Sequence, residues 1–244
     1  MDHVSEYNVD EGLLGLGEFI FLEMLSEMKH PQDVRQILAI CKKFHKLQEH
    51  PRFLIQITPA FIIKEESQGR LQGMQFIHSD QYAETTIAID PIITEGISRV
   101  EIVFQDTRGY CFSLGIADAS CSFDADNEPS DDGNDKNIVQ YLHGLEYGEI
   151  NHIARNTIGN ERYDDGQRIA IEVDMTTDPR RATFFVDNVE QPNYVIGIPS
   201  EIRFWVYTWE KLSSFTILKF EKLVQSTAKG VEGSKALEWG KEWK

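Results

Sequence analysis

Two different periods divide this chain. From Glu18 to Met28 apolar residues crowd at helical spacing, with Phe21, Met24, Leu25 and Met28 on one face. Lys29-His30-Pro31 breaks that run, and Pro31 suits the first turn of the next helix, where its missing N–H costs nothing. A second helix is expected from about Gln32, with Val34, Ile37, Leu38 and Cys41 in one stripe and Ile40, Phe44 and Leu47 in another; His50-Pro51 stops it. Helices with more than one apolar stripe are over-provided for packing on each other, so part of that surface needs a further partner. After residue 64 the period becomes strand-like. The expected strands are Leu71–Ile77, Thr85–Ile89, Val100–Phe104, Phe112–Ala117, Val139–Leu142, Ile169–Met175, Ala182–Val186, Ile202–Tyr207 and Phe215–Phe220. Turn signals at Asp132-Gly133, Asp165-Gly166, Asp187-Asn188 and Ile198-Pro199 separate them. Short strands at regular intervals with almost no helix read as a β-sandwich.

Length and charge narrow this picture. A chain of 244 residues suits one small and one medium domain. The pattern divides it into a polar N-terminus (1–13), a helical unit (14–64), a sandwich (65–223) and a weakly patterned tail (224–244) carrying Trp239 and Trp243, which are read as capping a core edge. A net charge of −16 repels nucleic acid and anionic membrane, so neither is expected as a partner. The cysteines Cys41, Cys111 and Cys121 are too scattered for a disulfide framework, and Cys41 and Cys111 read as small buried residues. With no signal-type start, sequon or spanning run, a cytoplasmic or nuclear location is expected.

The candidate chemistry is thin. Gly15-Leu16-Gly17 lacks a third glycine and a preceding strand, and Glu18 would compete with a phosphate at the helix start. The acidic run from Asp124 to Asp135 has Pro129 where a calcium loop needs glycine and Asp135 where it needs glutamate, so it reads as a solvated loop. The histidines show no metal spacing; His143 and His152 flank Glu146 and Glu149, and the simpler reading is of sandwich-surface residues. No nucleophile elbow occurs. The chain is expected not to be an enzyme, and to need no metal or cofactor.

The strands carry a resemblance. Phe112-Ser113-Leu114-Gly115-Ile116-Ala117-Asp118 resembles the glycine-isoleucine strand of SPRY domains. The segment from Tyr163 to Met175, with Asp165-Gly166 leading into Ile169-Ala170-Ile171-Glu172-Val173-Asp174-Met175, is similar to the family's turn and central strand. Arg181 to Asn188 resembles the hairpin that follows, and Phe204-Trp205-Val206-Tyr207-Thr208-Trp209 leads into Phe215-Thr216-Ile217 as SPRY domains run a strand, a loop tryptophan and a last strand. Ala170, Val189 and Glu210 stand where glycine is common in the family. The resemblance covers about residues 65–223. It implies a non-catalytic sandwich whose loops bind a target protein or peptide, with Trp209 and, less directly, Tyr141 as partner-binding residues.

The front block, Phe19 to Leu54, resembles an F-box over roughly residues 14–57, through its first apolar helix, Pro31 and Asp33, Cys41-Lys42, Phe44, Leu47 and Pro51. Leu16-Gly17 replaces the usual Leu-Pro start, and Phe53 stands where tryptophan is common. This resemblance implies docking of Phe21, Leu22, Leu25, Ile37 and Leu38 on a Skp-type adaptor of a cullin-RING ubiquitin ligase. The resulting expectation is a mainly β chain, an SPRY-type antiparallel β-sandwich behind a small α-helical F-box-like unit, acting as a substrate-recognition adaptor. The alternative is a plain interaction module whose helices cap the sandwich.

Overall fold

A computed structural model describes residues 55–144 and 148–243. The helical unit, with Phe21, Leu22, Leu25, Ile37 and Leu38, lies outside the described residues, as does Cys41. The described part is a strand protein. Its elements are β1 (Ile55–Gln56), β2 (Ala60–Ile62), β3 (Gly69–Gln72), β4 (Gln75–His78), β5 (Thr85–Ile93), β6 (Ile97–Gln105), β7 (Phe112–Asp118), β8 (Ile138–Leu142) and β9 (Gly148–His152). They continue with β10 (Arg155–Asn160), β11 (Arg168–Asp174), β12 (Arg181–Val186), β13 (Val189–Glu190), β14 (Asn193–Ile196), β15 (Ile202–Thr208), β16 (Ser214–Leu223) and β17 (Lys235–Glu238). Two short 3-10 turns, Glu66–Gln68 and Asn134–Lys136, are the helical elements among the described residues. Residues 55–64, grouped with the helices on pattern, already contain strand.

The strands form two sheets. The first runs β17-β14-β12-β11-β6-β16-β4-β3, with β13 beside β12. The second runs β10-β9-β8-β7-β15-β5-β2. Almost all pairs are antiparallel; β14 and β17 pair in parallel. Between the sheets lies the core, rich in rings: Phe76, Phe104, Phe112, Tyr141, Tyr163, Phe184 and Phe215 are all essentially inaccessible. Their contacts mix tilted, edge-on and stacked pairs, as at Phe104–Phe112 (centroids 4.8 Å apart, tilted), Tyr141–Tyr163 (5.0 Å, edge-on) and Phe76–Phe215 (5.5 Å, stacked). Such pairs contribute roughly 0.5–1.5 kcal/mol each beyond the area they bury.

The outer faces are covered too, which is why the central strands read as apolar runs rather than clean alternations. On β7 and β15, Phe112, Leu114, Ile116, Phe204 and Val206 point into the core. Trp205 and Tyr207 point outward into a second cluster with Ala88, Ala117, Phe123 and Ile138. The acidic loop between β7 and β8 lies across this face, anchored by buried Phe123 at 6.0 Å from Trp205. Trp205 fits only because position 115 is glycine: a Cβ there would sit 2.4 Å from the indole ring and 2.0 Å from the Val139 carbonyl oxygen.

The outer face of the other sheet is crossed by residues 226–230. Glu172, buried on β11, accepts from the Ser226 hydroxyl and the Thr227 backbone N–H, and lies 3.8 Å from the guanidinium of Arg99. Glu190 accepts from the backbone of Lys229 and Gly230. The strap then becomes β17, and Trp239 and Trp243 end with ring centroids 5.0 Å on either count from buried His152 of β9. The tail tryptophans thus cap the sandwich edge, as the pattern suggested, although β17 itself was not foreseen.

Candidate protein-interaction site

In an antiparallel sandwich all loops of one parity gather at one end. Here that end collects residues 79–84 (between β4 and β5), 106–111 (β6 to β7), 143–144 and 209–213 (β15 to β16). Three of these loops are pinned from within. Buried His78 has ring nitrogens 3.1 Å from the Ser79 carbonyl, 3.0 Å from the Ala83 carbonyl and 2.9 Å from the Thr85 hydroxyl. Asp165 accepts from the backbone N–H and hydroxyl of Thr107 at 2.9 and 2.7 Å. The Ser213 hydroxyl donates to the Glu210 carbonyl at 2.6 Å, and the Leu212 N–H donates to the Ser79 carbonyl at 2.8 Å. Asp106, Arg108 and Leu212 are held at φ of 59°, 55° and 61°. Non-glycine residues persist in that left-handed region only where their surroundings over-determine them.

These loops present three aromatic rings. Tyr82 is 51% and Tyr110 55% exposed. Both meet Trp209, at centroid distances of 5.0 and 6.3 Å. Trp209 is half-buried and also packs against the Trp205–Tyr207 cluster. It both plugs the outer face of the sheet and offers a surface. Exposed Leu212 borders the group, and the ammonium of Lys211 lies 4.9 Å from the Tyr82 ring centre. Of these three rings the sequence singles out Trp209 alone, because Tyr82 and Tyr110 sit in loops with no period to mark them.

Tyr141 belongs elsewhere. It is fully buried, and its hydroxyl donates to the Glu161 carbonyl at 2.5 Å. Burial, followed by the nearby Glu161, pushes its pKa far up. On β8 the side chains that face outward are its neighbours Gln140 and Leu142, and Tyr141 is a core residue. Cys111 likewise differs from expectation: it is exposed, at the loop end, not a small buried residue.

Beside the rings, on the outer face, lies a cavity of about 310 Å³ lined in part by Cys111, Phe112, Glu128, Pro129, Leu142 and Tyr207. The Tyr207 hydroxyl donates to Glu84 of the Tyr82 loop. Burial and then this bond to Glu84 raise the tyrosine's pKa. Buried Glu210 lies 3.5 Å from the guanidinium of Arg108. A smaller cleft of about 140 Å³ beside Cys121 and Arg203 lies away from this end. Burial, then Asp118, pushes the Cys121 thiol up to about 11, which keeps it protonated and a poor nucleophile.

The histidines noted in sequence do not converge. His143 stacks on Phe112 at 4.3 Å, whereas His152 serves the tail. Burial holds both below the ordinary imidazole range. Among the described residues no three His, Cys, Asp or Glu side chains form a metal-holding group.

No family model matches the sequence, and no curated protein sequence matches it. Solved structures do. The TRIM65 PSpry domain is 10% identical, with 65% of this chain and 90% of that one covered and a TM-score of 0.50. The SPRY domain of human HERC1 is 14% identical over 61% of this chain and 90% of that one (TM-score 0.48). Stonustoxin is 9% identical over 62% of this chain and 27% of its own (TM-score 0.44). With its two packed sheets and the TRIM65 match, the described part of the chain has the fold of an SPRY β-sandwich.

Proposed function

We propose that this chain is a non-catalytic protein-interaction module whose loop end holds a segment of a target protein, with Trp209, Tyr82 and Tyr110 as its main contacts. The observation that carries this reading is the three-ring cluster, two exposed tyrosines around half-buried Trp209, on loops pinned from inside. Rigid aromatic rings give large contact area at little entropic cost, and they dominate binding hot spots. The SPRY-like fold supports the reading by analogy. The test is selection of random peptides on the full chain. Trp209→Ala and Tyr110→Ala should each weaken the selected peptides by about tenfold or more, about 1.4 kcal/mol or more, while circular dichroism stays native. Peptides indifferent to both substitutions would overturn the assignment.

Within this reading, the F-box-like stretch up to Leu54 would dock on a Skp-type adaptor through Phe21, Leu22, Leu25, Ile37 and Leu38, bringing the target to a cullin-RING ubiquitin ligase. The contribution would be one of proximity: tethering raises the effective concentration of the target at the ligase. The support is the F-box-like order of residues from Phe19 to Leu54. A titration of the full chain against a Skp-type adaptor tests it. Saturable binding, lost in a folded Leu25→Asp, Leu38→Asp variant, is the expected result. A well-folded chain that does not bind would leave the interaction module without a ligase role.

A further inference from the structure

Next to the aromatic cluster, the cavity on the outer face is lined by two carboxylates. Glu128 stands on the rim of the 310 Å³ cavity and Glu149 in its wall. The carboxylate of Glu128 pairs with no cation among the described residues. Burial, Glu84 and Asp131, in that order, push its pKa up, so negative charge there is short of compensation. Among the described residues Glu149 accepts one side-chain bond, from Asn156 at 2.5 Å. Leu142 and Pro129 give the cavity apolar sides, the setting that suits the methylene stem of a long basic side chain. Its volume is at the small end for ligand pockets, enough for one inserted side chain.

Two further features fit the same occupant. The cavity shares Glu128 and Gln140 with a shallower trough of about 610 Å³, which also has Asn151 and Asn156 in its lining. Side-chain amides both donate and accept, as a peptide backbone requires. The trough's own cation, Arg155, is engaged 3.6 Å from Glu242. The aromatic cluster meanwhile already hosts a cation: the Lys211 ammonium over the Tyr82 ring. The faces of Trp209 and Tyr110 attract positive charge by the same ring quadrupole.

From this we infer that the loop end takes a basic segment of a partner protein, seating one lysine or arginine side chain in the cavity against Glu128 and Glu149 while neighbouring residues lie on the aromatic rings. The inference rests on the loop end being the interaction site, and it adds the chemistry of the partner. Charge complementarity of this kind sets partner choice more than raw affinity. The chain's net charge of −16 would speed the encounter.

The test uses the full chain and a fluorescein-labelled peptide of repeating Gly-Ser-Arg, with a citrulline counterpart of the same shape and no charge. Fluorescence anisotropy at near-physiological salt should show the arginine peptide binding and the citrulline peptide about tenfold weaker or more. The Glu128→Gln, Glu149→Gln variant should lose a similar factor. A variant altered at distant exposed carboxylates, Glu201→Gln, Glu232→Gln, should bind as the native chain does. Equal losses in the two variants would mean a diffuse charge effect and would overturn the inference, as would absence of arginine-peptide binding. Peptides selected on the full chain separate the two levels. If they need Trp209 yet carry no lysine or arginine, the basic partner falls and the interaction site stands. If none of them needs Trp209, the interaction site falls with it.

Discussion

Gly115→Ala should be among the most damaging single-methyl changes in this chain. Its Cβ would meet the Val139 carbonyl oxygen at 2.0 Å and two carbons of the Trp205 indole at 2.4 and 2.6 Å, well inside contact distance. Neither neighbour can step aside cheaply. Val139 pairs with Ile116 in the β7–β8 ladder, and Trp205 is clamped on β15 between β7 and β5. Phe123 covers its outer face. Over-packing a dense site costs about 1–3 kcal/mol, and clashes with both backbone and ring place this one at about 3 kcal/mol. For a folded unit of this size that is a fall in Tm of roughly 6–12 °C. Thermal and urea unfolding followed by circular dichroism measure it. A second background makes the test specific. Trp205→Phe removes the indole atoms that clash but leaves the Val139 oxygen, and among the described residues the Trp205 Nε1 has no hydrogen-bond partner to lose. Gly115→Ala should therefore cost less in the Trp205→Phe background, without becoming free. A cost below about 0.5 kcal/mol in the native background, or the same cost in both, would refute the steric argument, since coupled neighbours are expected to depart from additivity by at least that much.

Three further outcomes are expected. Glu172→Ala strands the buried Arg99 guanidinium beside it and frees the strap donors at Ser226 and Thr227, so urea unfolding should register a loss of about 3–5 kcal/mol; a loss under about 1 kcal/mol would show the pair to be dispensable. Acid should loosen the tail. His152 has Nδ1 2.6 Å from the Ile138 carbonyl and Nε2 accepting from the Gly240 N–H at 2.8 Å, and burial lowers its pKa against the opposing Ile138 carbonyl and Asp135. The unfolded chain keeps a histidine pKa near 6.5 and binds the proton first, so stability present above about pH 6.5 is lost as pH falls through the lower folded value. His143, lowered mainly by burial, adds in the same direction. His152→Gln should show a smaller loss between about pH 7.5 and pH 5.5, and an unchanged pH profile would refute the assignment. Asp187→Ala should cost about 1 kcal/mol at neutral pH, because its carboxylate accepts from the Arg168 N–H and the Gln167 amide. Those two bonds hold its pKa down. That contribution should fade as pH drops through the folded value, and a variant as stable as the native chain at neutral pH would refute it.

What could be read from the sequence divides along physical lines. Strands buried on both faces, such as β7, β11 and β15, stood out because dense apolar runs need no tertiary information. The Asp187-Asn188 hairpin was legible for its turn chemistry, and both residues are left-handed, at φ of 48° and 65°. Leu71–Ile77, expected as one strand, is the β3–β4 hairpin folded at Gly73, whose φ of 62° the apolar flanks concealed. The β9–β10 hairpin was missed because its turn uses Ile153 and Ala154 at φ of 53° and 54°, residues that carry no turn signal. β14 and β17 were missed because both are only four residues long, and so short a strand draws its stability from its neighbours, not from its own pattern. Trp209 was visible through its place after a recognisable strand. Tyr82, Tyr110 and the Glu128–Glu149 cavity were not, since loops distant in sequence bring them together. Tyr141 was misplaced because β8 alternates from Ile138 onward and the acidic insertion hid which parity faces inward.

The strap has a consequence for the order in which the molecule can be made. β16 sits between β6 and β4, and β17 adds to β14, so strands near the C-terminal end complete sheets begun much earlier. During synthesis the chain emerges N-terminal end first. Until residues 214–243 have left the ribosome, β6, β4 and β14 keep unpaired hydrogen-bonding edges and His152 lacks its tryptophan cover. Completion of the sandwich is thus a late, long-range event. For this chain, the interval between emergence of β15 and emergence of Trp243 is the period in which it depends most on protection from wrong pairings.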